Sequence, residues 1–203
     1  MNIGVFGGTF DPPHNGHINL AEGIIANTKI DRISFVLSAD PPHKLNQPIS
    51  SFVHRMKMLQ LAIDGRSSFS TSDIEYKRLP KLSYMFETMK ELGSIYNKDT
   101  LILIIGEDSL EQLHLWYKGK EIAETWKILS YPRKGKNVTL ESLTENWTPK
   151  MATKLFYTIV PMPLFPISAT NIREKIIRKE NIKNLVNTNV LNYINKNNLF
   201  KIN

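Results

Sequence analysis

Along the chain, short apolar runs alternate with stretches in which apolar positions recur every three or four residues. Asn2–Phe6 reads as a buried strand running into a Gly7-Gly8 turn. Ile18, Ala21, Ile24 and Ile25 share one helical face within His17–Thr28. Ile33–Leu37 is β-branched and aromatic, a second strand. Val53, Met56, Leu59 and Ala62 or Ile63 give Phe52–Ile63 the helical period. Phe69–Ile74 fits a strand and Ser83–Leu92 a helix. Leu101–Ile105, an unbroken aliphatic run closed by Gly106, is the clearest buried strand. Lys127–Tyr131 and Phe156–Val160 read as two more, and Asn171–Lys179 and Leu185–Asn195 as helices. Such alternation predicts βαβ units: an α/β fold with a mainly parallel sheet and helices on both faces. Ligands then bind at the carboxyl ends of the strands, near the switch in strand order. With no repeat and no linker, the pattern predicts one domain over residues 1–203, with about 181–203 as a small helical end closing the fold. The polar stretches Ser38–Ser51 and Arg133–Pro149 are candidate lids or substrate loops.

The stretch after the first strand carries the most chemistry: Gly7-Gly8-Thr9-Phe10-Asp11-Pro12-Pro13-His14-Asn15-Gly16-His17. Paired glycines at a strand end let backbone amides approach a ligand closely. His14-x-Gly16-His17 then opens a helix, whose first N–H groups and positive dipole end suit a phosphate. The two imidazoles fall on roughly one face, and Gly16 between them leaves room for a phosphate to sit between the rings. The stretch matches neither G-x-G-x-x-G nor G-x-x-x-x-G-K-[ST], so dinucleotide redox chemistry and P-loop hydrolysis lose their main support. A metal reading lacks both H-E-x-x-H and a carboxylate cluster, and a pair of plain helix caps remains the bland alternative.

A second anion site is foreshadowed at Ile167–Arg173. Pro166 halts the preceding segment, and Ser168 or Thr170 can N-cap the next helix. Free amides, hydroxyls and the Arg173 fork would then face one anion. Among the remaining candidates, Asp108 follows a glycine at the ligand edge of the clearest strand. Lys44, Arg133 and Trp116 taken singly are ordinary solvated charges and a core-packing ring, and Trp126 and Trp147 look structural.

Composition narrows the class further. There are no cysteines, which removes disulfides, thiolate metal sites and cysteine nucleophiles. Lys and Arg number 26 against 19 Asp and Glu, a net charge of +7 that favours anionic partners. A general richness in Lys, Asn and Ile explains that balance equally well. No apolar run approaches the ~20 residues a bilayer requires, and the first residues carry no basic leader. A soluble, cytoplasmic protein without a membrane partner is expected.

Taken together, G-G-T-F-D-P-P-H-x-G-H resembles the signature of the nucleotidylyltransferase superfamily, and in detail that of bacterial nicotinate-nucleotide adenylyltransferases. The resemblance continues through Pro41-Pro42-His43-Lys44, His54-Arg55-Met56, Ser83-Tyr84 to Glu87-Thr88, Ile105-Gly106-Glu107-Asp108 with Leu113 and Trp116, and Ile167-Ser168-Ala169-Thr170-Asn171-Ile172-Arg173. It implies a Rossmann-like sheet and adenylyl transfer from ATP, entering with Mg2+, to nicotinate mononucleotide. It implies His14 and His17 as catalytic donors, and an ATP site at Gly8, Thr9, Phe10, Gly16, Gly106, Asp108, Ser168, Thr170 and Arg173. The mononucleotide would meet Gly7, Gly8, Lys44, Ser83, Tyr84, Met85, Trp116 and Arg133, with no all-protein metal cage. Ala169 stands where the family has a second serine, and Met85 where it has a threonine that helps hold the nicotinate carboxylate. A thioether cannot donate a hydrogen bond, so acid preference is expected to persist at reduced strength. Two other readings compete. One is a sister enzyme acting on nicotinamide mononucleotide or pantetheine phosphate. The other is a nucleic-acid-binding protein using Arg173, Lys175, Arg178, Lys179, Lys183 and Lys196.

Overall fold

The computed structural model describes residues 1–40, 49–80 and 83–201. Its centre is a five-stranded sheet in the order β3-β2-β1-β4-β5. The strands are β1 (Asn2–Gly8), β2 (Arg32–Leu37), β3 (Phe69–Ser72), β4 (Thr100–Gly106) and β5 (Lys127–Tyr131), and every pairing is parallel. The chain first winds outward from β1 to β3, then returns to place β4 on the other side of β1. The strand order therefore reverses between β1 and β4, the position at which an open α/β sheet leaves a crevice. Register brings Gly8 opposite Leu37 and Gly106 opposite Tyr131, so these strand ends share one edge.

Alternation along the strands sorts the apolar residues into two cores, one on each face. Phe6, Ile33, Phe35, Leu37, Ile104 and Leu129 point to the first. There they meet α1 (Asn15–Asn27) and α2 (Phe52–Ile63) through Ile18, Ile24, Met58 and Leu59. The same core takes Ile172 of α9 (Ala169–Ile177) and Val190 and Ile194 of α10 (Thr188–Lys196). Ile3, Val5, Val36, Leu103 and Ile105 point to the second. It is covered by α4 (Met85–Ile95), α5 (Glu107–Glu111), α6 (Gly119–Thr125), α7 (Leu140–Thr144) and α8 (Pro149–Phe156). A one-turn α3 (Ile74–Lys77) follows β3, and a 3-10 turn, Leu113–Leu115, follows α5. No described helix is long and apolar enough to cross a membrane.

The run Phe156–Val160 is the expectation the fold corrects. Phe156 ends α8, and Ile159 makes only an isolated parallel bridge to Ser130. Ser130 N–H donates to the Thr158 carbonyl at 2.8 Å and Val160 N–H to the Ser130 carbonyl at 2.8 Å, after which pairing stops. Pro161, Pro163 and Pro166 lack the N–H that a longer ladder would need. Boundaries shift elsewhere: α4 starts at Met85 rather than Ser83, Ile74 opens α3 rather than ending β3, and the Arg133–Pro149 stretch contains α7.

Candidate active site

The β1–α1 turn is built around stacked aromatic rings. His14 is the N-cap of α1, with extended backbone angles. Its ring stacks on that of His17 at 3.6 Å between centroids, 18° from parallel. The expected gap for a phosphate between the imidazoles is therefore absent, and an anion can meet only their edges. Gly16 serves a different purpose: a Cβ there would lie 3.0 Å from His14 Nδ1 and 3.4 Å from Ile167 Cβ. The missing side chain makes room for the His14 ring and for the segment entering α9. His17 is wedged edge-on against Phe10 at 5.0 Å and Phe6 at 6.2 Å. Phe10 itself holds φ 46°, a left-handed conformation that is costly for an aromatic residue and is stabilised here by burial against Phe6 and Phe35.

Protonation follows from the same packing. Burial, reinforced by the Arg133 charge, pushes the His14 imidazole down to about 4. Burial also holds His17 well below the ordinary histidine value, with His14 and Arg133 adding to it. Both rings are therefore neutral near pH 7. The His14 N–H donates to His17 Nδ1 at 3.2 Å, so the neutral His17 ring carries its proton on Nε2. A neutral imidazole with its tautomer fixed by a backbone donor presents an N–H without requiring a buried positive charge.

Two cavities meet at this pair. One, of about 500 Å3, is bordered by His14, Gly16, His17, Asp108, Tyr131, Arg133 and the segment from Pro163 to Ser168. The other, of about 240 Å3, lies between Gly7–Asp11 and Ile167–Ala169, and shares His14, His17, Tyr131, Arg133 and Ser168 with the first. Ser168 is the N-cap of α9, its Oγ accepting from Asn171 N–H at 3.2 Å. The imidazole pair and the α9 N-terminus thus face the same space, from residues more than 150 positions apart. Arg173 and Thr170 border neither cavity. Arg173 donates to the Asp11 carbonyl at 2.8 Å and to Thr170 Oγ1 at 3.2 Å, fastening the histidine turn to α9.

At the ends of β4 and β5, Gly106 caps α5, and Asp108 forms an ion pair with Arg133 Nε at 3.4 Å. Asp108 Oδ1 is buried without a hydrogen-bond partner. The Arg133 backbone N–H donates to Glu107 Oε2 at 3.3 Å, which fixes the loop after β5. The mononucleotide residues are more scattered. Ser83 Oγ accepts from the backbone N–H groups of Ala39 and Asp40 at 3.1 and 2.9 Å, so its hydroxyl already ties the end of β2. Tyr84 caps α4 and lies 4.7 Å from Tyr117, ring to ring. The Met85 methyl occupies the space that a side chain at Gly7 would need. Trp116 is half-buried against the second core. Lys44 and the Pro41–Lys44 motif lie outside the described residues.

Three buried polar side chains escaped the sequence reading. Arg55, 3% exposed, donates to the carbonyls of Ser50, Thr9 and Ser38 at 2.9, 3.1 and 2.7 Å, pinning the loops after β1 and β2 together. Glu75 accepts from Thr88 Oγ1 at 2.8 Å and from Ala39 N–H at 3.3 Å. Tyr131, the last residue of β5, borders both cavities. Its place at the ligand edge of a strand, the criterion that selected Asp108, was the signal available.

The chain matches the cytidylyltransferase-like family model over residues 5–175. It is 35% identical over 199 residues to the nicotinate-nucleotide adenylyltransferase of Bacillus subtilis (strain 168), an alignment covering 98% of each chain. In fold it is similar to the nicotinic acid mononucleotide adenylyltransferase of Plasmodium falciparum. The TM-score is 0.78 against the form complexed with NaAD, at 19% identity, covering 98% of this chain and 97% of the other. Against the form complexed with APC it is 0.74, at 18% identity, covering 98% and 96%.

Proposed function

The chain belongs to the nicotinate-nucleotide adenylyltransferase family of cytidylyltransferase-like proteins, and from that premise we propose that it adenylylates nicotinate mononucleotide. The 5′-phosphate oxygen of the mononucleotide attacks the α-phosphorus of ATP. The bond from that phosphorus to the β-phosphate bridging oxygen breaks, pyrophosphate leaves, and nicotinate adenine dinucleotide forms, a step of NAD biosynthesis. The observation that carries this reading is the shared cavity: stacked neutral imidazoles on one wall, the capped N-terminus of α9 on the other.

The attacking phosphate is already an anion, so the reaction needs no general base. The chain supplies position and charge stabilisation. His17 Nε2–H and the His14 ring edge are assigned to the α-phosphate oxygens. The amides at the start of α9, with Ser168, receive the outer phosphates. Thr170 and Arg173 act at one remove, holding α9 against the histidine turn. Gly8, Thr9, Phe10, Gly16 and Gly106 shape the ATP side, and Gly7, Ser83, Tyr84, Met85, Trp116 and Arg133 the mononucleotide side. Magnesium enters as part of the triphosphate substrate and offsets its charge. Among the described residues no group of three or more His, Asp or Glu side chains is placed to hold a metal ion. Asp108, on the wall of the larger cavity with its Oδ1 ion-paired to Arg133, is the carboxylate that would meet a cation carried on the phosphates.

A substrate panel tests the reading: ATP and magnesium with nicotinate mononucleotide, nicotinamide mononucleotide or phosphopantetheine, following pyrophosphate release. The expected order in kcat/KM places the nicotinate substrate first and the nicotinamide substrate second, by a narrow margin because Met85 offers no donor. A preference for nicotinamide overturns the acid assignment, and turnover of phosphopantetheine alone moves the protein to a sister activity. No turnover at all, with salt-dependent retention on DNA, favours a nucleic-acid-binding protein.

A further inference from the structure

Tyr131 is held as a donor with nothing to donate to. Its side chain is 6% exposed, yet it borders both cavities at the point where they join. The ring meets Phe6 edge-on at 6.1 Å, as His17 does at 6.2 Å, so phenol and imidazole are fixed by the same aromatic neighbour. The Arg133 guanidinium lies 5.5 Å from the ring centre. Among the described residues no group accepts or donates a hydrogen bond at its hydroxyl. A hydroxyl on a cavity wall, with no protein partner of its own, is free to donate to an acceptor that a bound ligand supplies. Burial pushes the phenol above its ordinary value, with Arg133 opposing and Asp108 adding, so the proton stays on the oxygen.

We propose that the Tyr131 hydroxyl donates a hydrogen bond to a non-bridging oxygen of the innermost phosphate of the bound triphosphate, as a third donor beside the two imidazoles. The proposal rests on the adenylyl-transfer reading and adds a residue to it. Its surroundings favour a phosphate over other acceptors, because His14, His17 and Arg133 border the same junction. The contact strengthens as charge builds on the phosphate in the transition state, so it acts on kcat more than on ground-state affinity.

The test is Tyr131→Phe, which keeps the ring and removes one oxygen. Steady-state turnover with ATP and with 2′-deoxyATP is measured alongside the melting temperature and the Kd of α,β-methylene ATP, which cannot transfer its adenylyl group. The expected result is a kcat lowered about tenfold or more. The analogue Kd should stay within about threefold and the Tm within about 2 °C, a split that a merely structural tyrosine would not produce. A kcat within about twofold of the parent overturns the proposal. So does a loss of analogue affinity equal to the loss in rate. A penalty that vanishes with 2′-deoxyATP assigns the hydroxyl to the ribose and overturns the phosphate assignment. An active parent with an unaffected variant sinks this proposal alone, whereas a parent that turns over no nucleotide pair sinks the functional reading with it.

Discussion

The two substrate halves of the cleft are built by different means. On the triphosphate side, the groups that face the ligand are fixed by the backbone. The His17 tautomer is set by the His14 N–H, the His14 ring by Gly16, and the α9 N-terminus by Ser168. On the mononucleotide side, the candidate residues hang from separate elements: Gly7, Gly8 and Arg133 border the smaller cavity, whereas Ser83, Tyr84, Met85 and Trp116 border neither of the two. Ser83 is already engaged with the end of β2, and Trp116 lies against the second core. Arg133 stands between the halves, bordering both cavities while paired to Asp108. The difference follows from what each half must do. Charge that develops on phosphorus is stabilised best by dipoles already in place, because any reorientation during the reaction subtracts from the gain. A planar ring needs only surface to lie against, which side chains from several elements can provide.

The largest expected effect breaks the first half. His17→Ala removes the donor whose tautomer is fixed, and kcat should fall about 10²–10³-fold with a milder change in KM for ATP. Near-normal turnover in stopped-flow or steady-state assays would remove His17 from the chemistry. A second measurement asks what holding the imidazoles neutral costs. In the unfolded chain His14 takes up a proton near 6.5, but in the fold only near 4. Between those values the unfolded state binds more protons, so stability rises with pH across the window and is lost as pH falls from 6.5 toward 4. The slope is at most about 1.4 kcal/mol per pH unit for each such histidine. Chemical denaturation of His14→Asn, which keeps a good N-cap residue, should show a flatter profile there, and an unchanged profile would contradict the buried neutral ring. The smallest effect sharpens the second half. Trp116→Ala should raise KM for the mononucleotide several-fold, about 1 kcal/mol, and leave KM for ATP nearly unchanged. Equal increases for both substrates would erase the division drawn here.

Periodicity alone carried the sheet and most helices, because β1, β2, β4 and β5 are apolar runs buried on both faces and α1 and α2 have clean stripes. It failed at Phe156–Val160, where composition suits a strand but the prolines that follow stop the ladder after one bridge. The residues that border the two cavities were legible where they sit in contiguous motifs, as at Gly7–His17 and Ile167–Ala169. The distance between those motifs was not legible, since the fold alone brings them to one cavity. Side-chain direction was also hidden. Spacing placed His14 and His17 on one face but could not reveal that the rings stack and leave no gap. The roles of Arg55, Glu75 and Tyr131 were hidden for the same reason: their partners are backbone atoms, a distant side chain or a cavity that only the fold supplies.

The turn that carries the imidazoles is also tied to the far end of the chain. Asn15 donates from its backbone to the Leu185 carbonyl at 2.8 Å and from its amide to the Asn184 carbonyl at 3.0 Å, and Arg173 holds the Asp11 carbonyl. During synthesis, the first strand and helix leave the ribosome long before Arg173 and the carbonyls of Asn184 and Leu185 exist. The nascent chain therefore carries every residue of its first phosphate turn, and the early stitches from within the turn and from Arg55, well before the late ones that tie it to α9 and the segment at Asn184–Leu185.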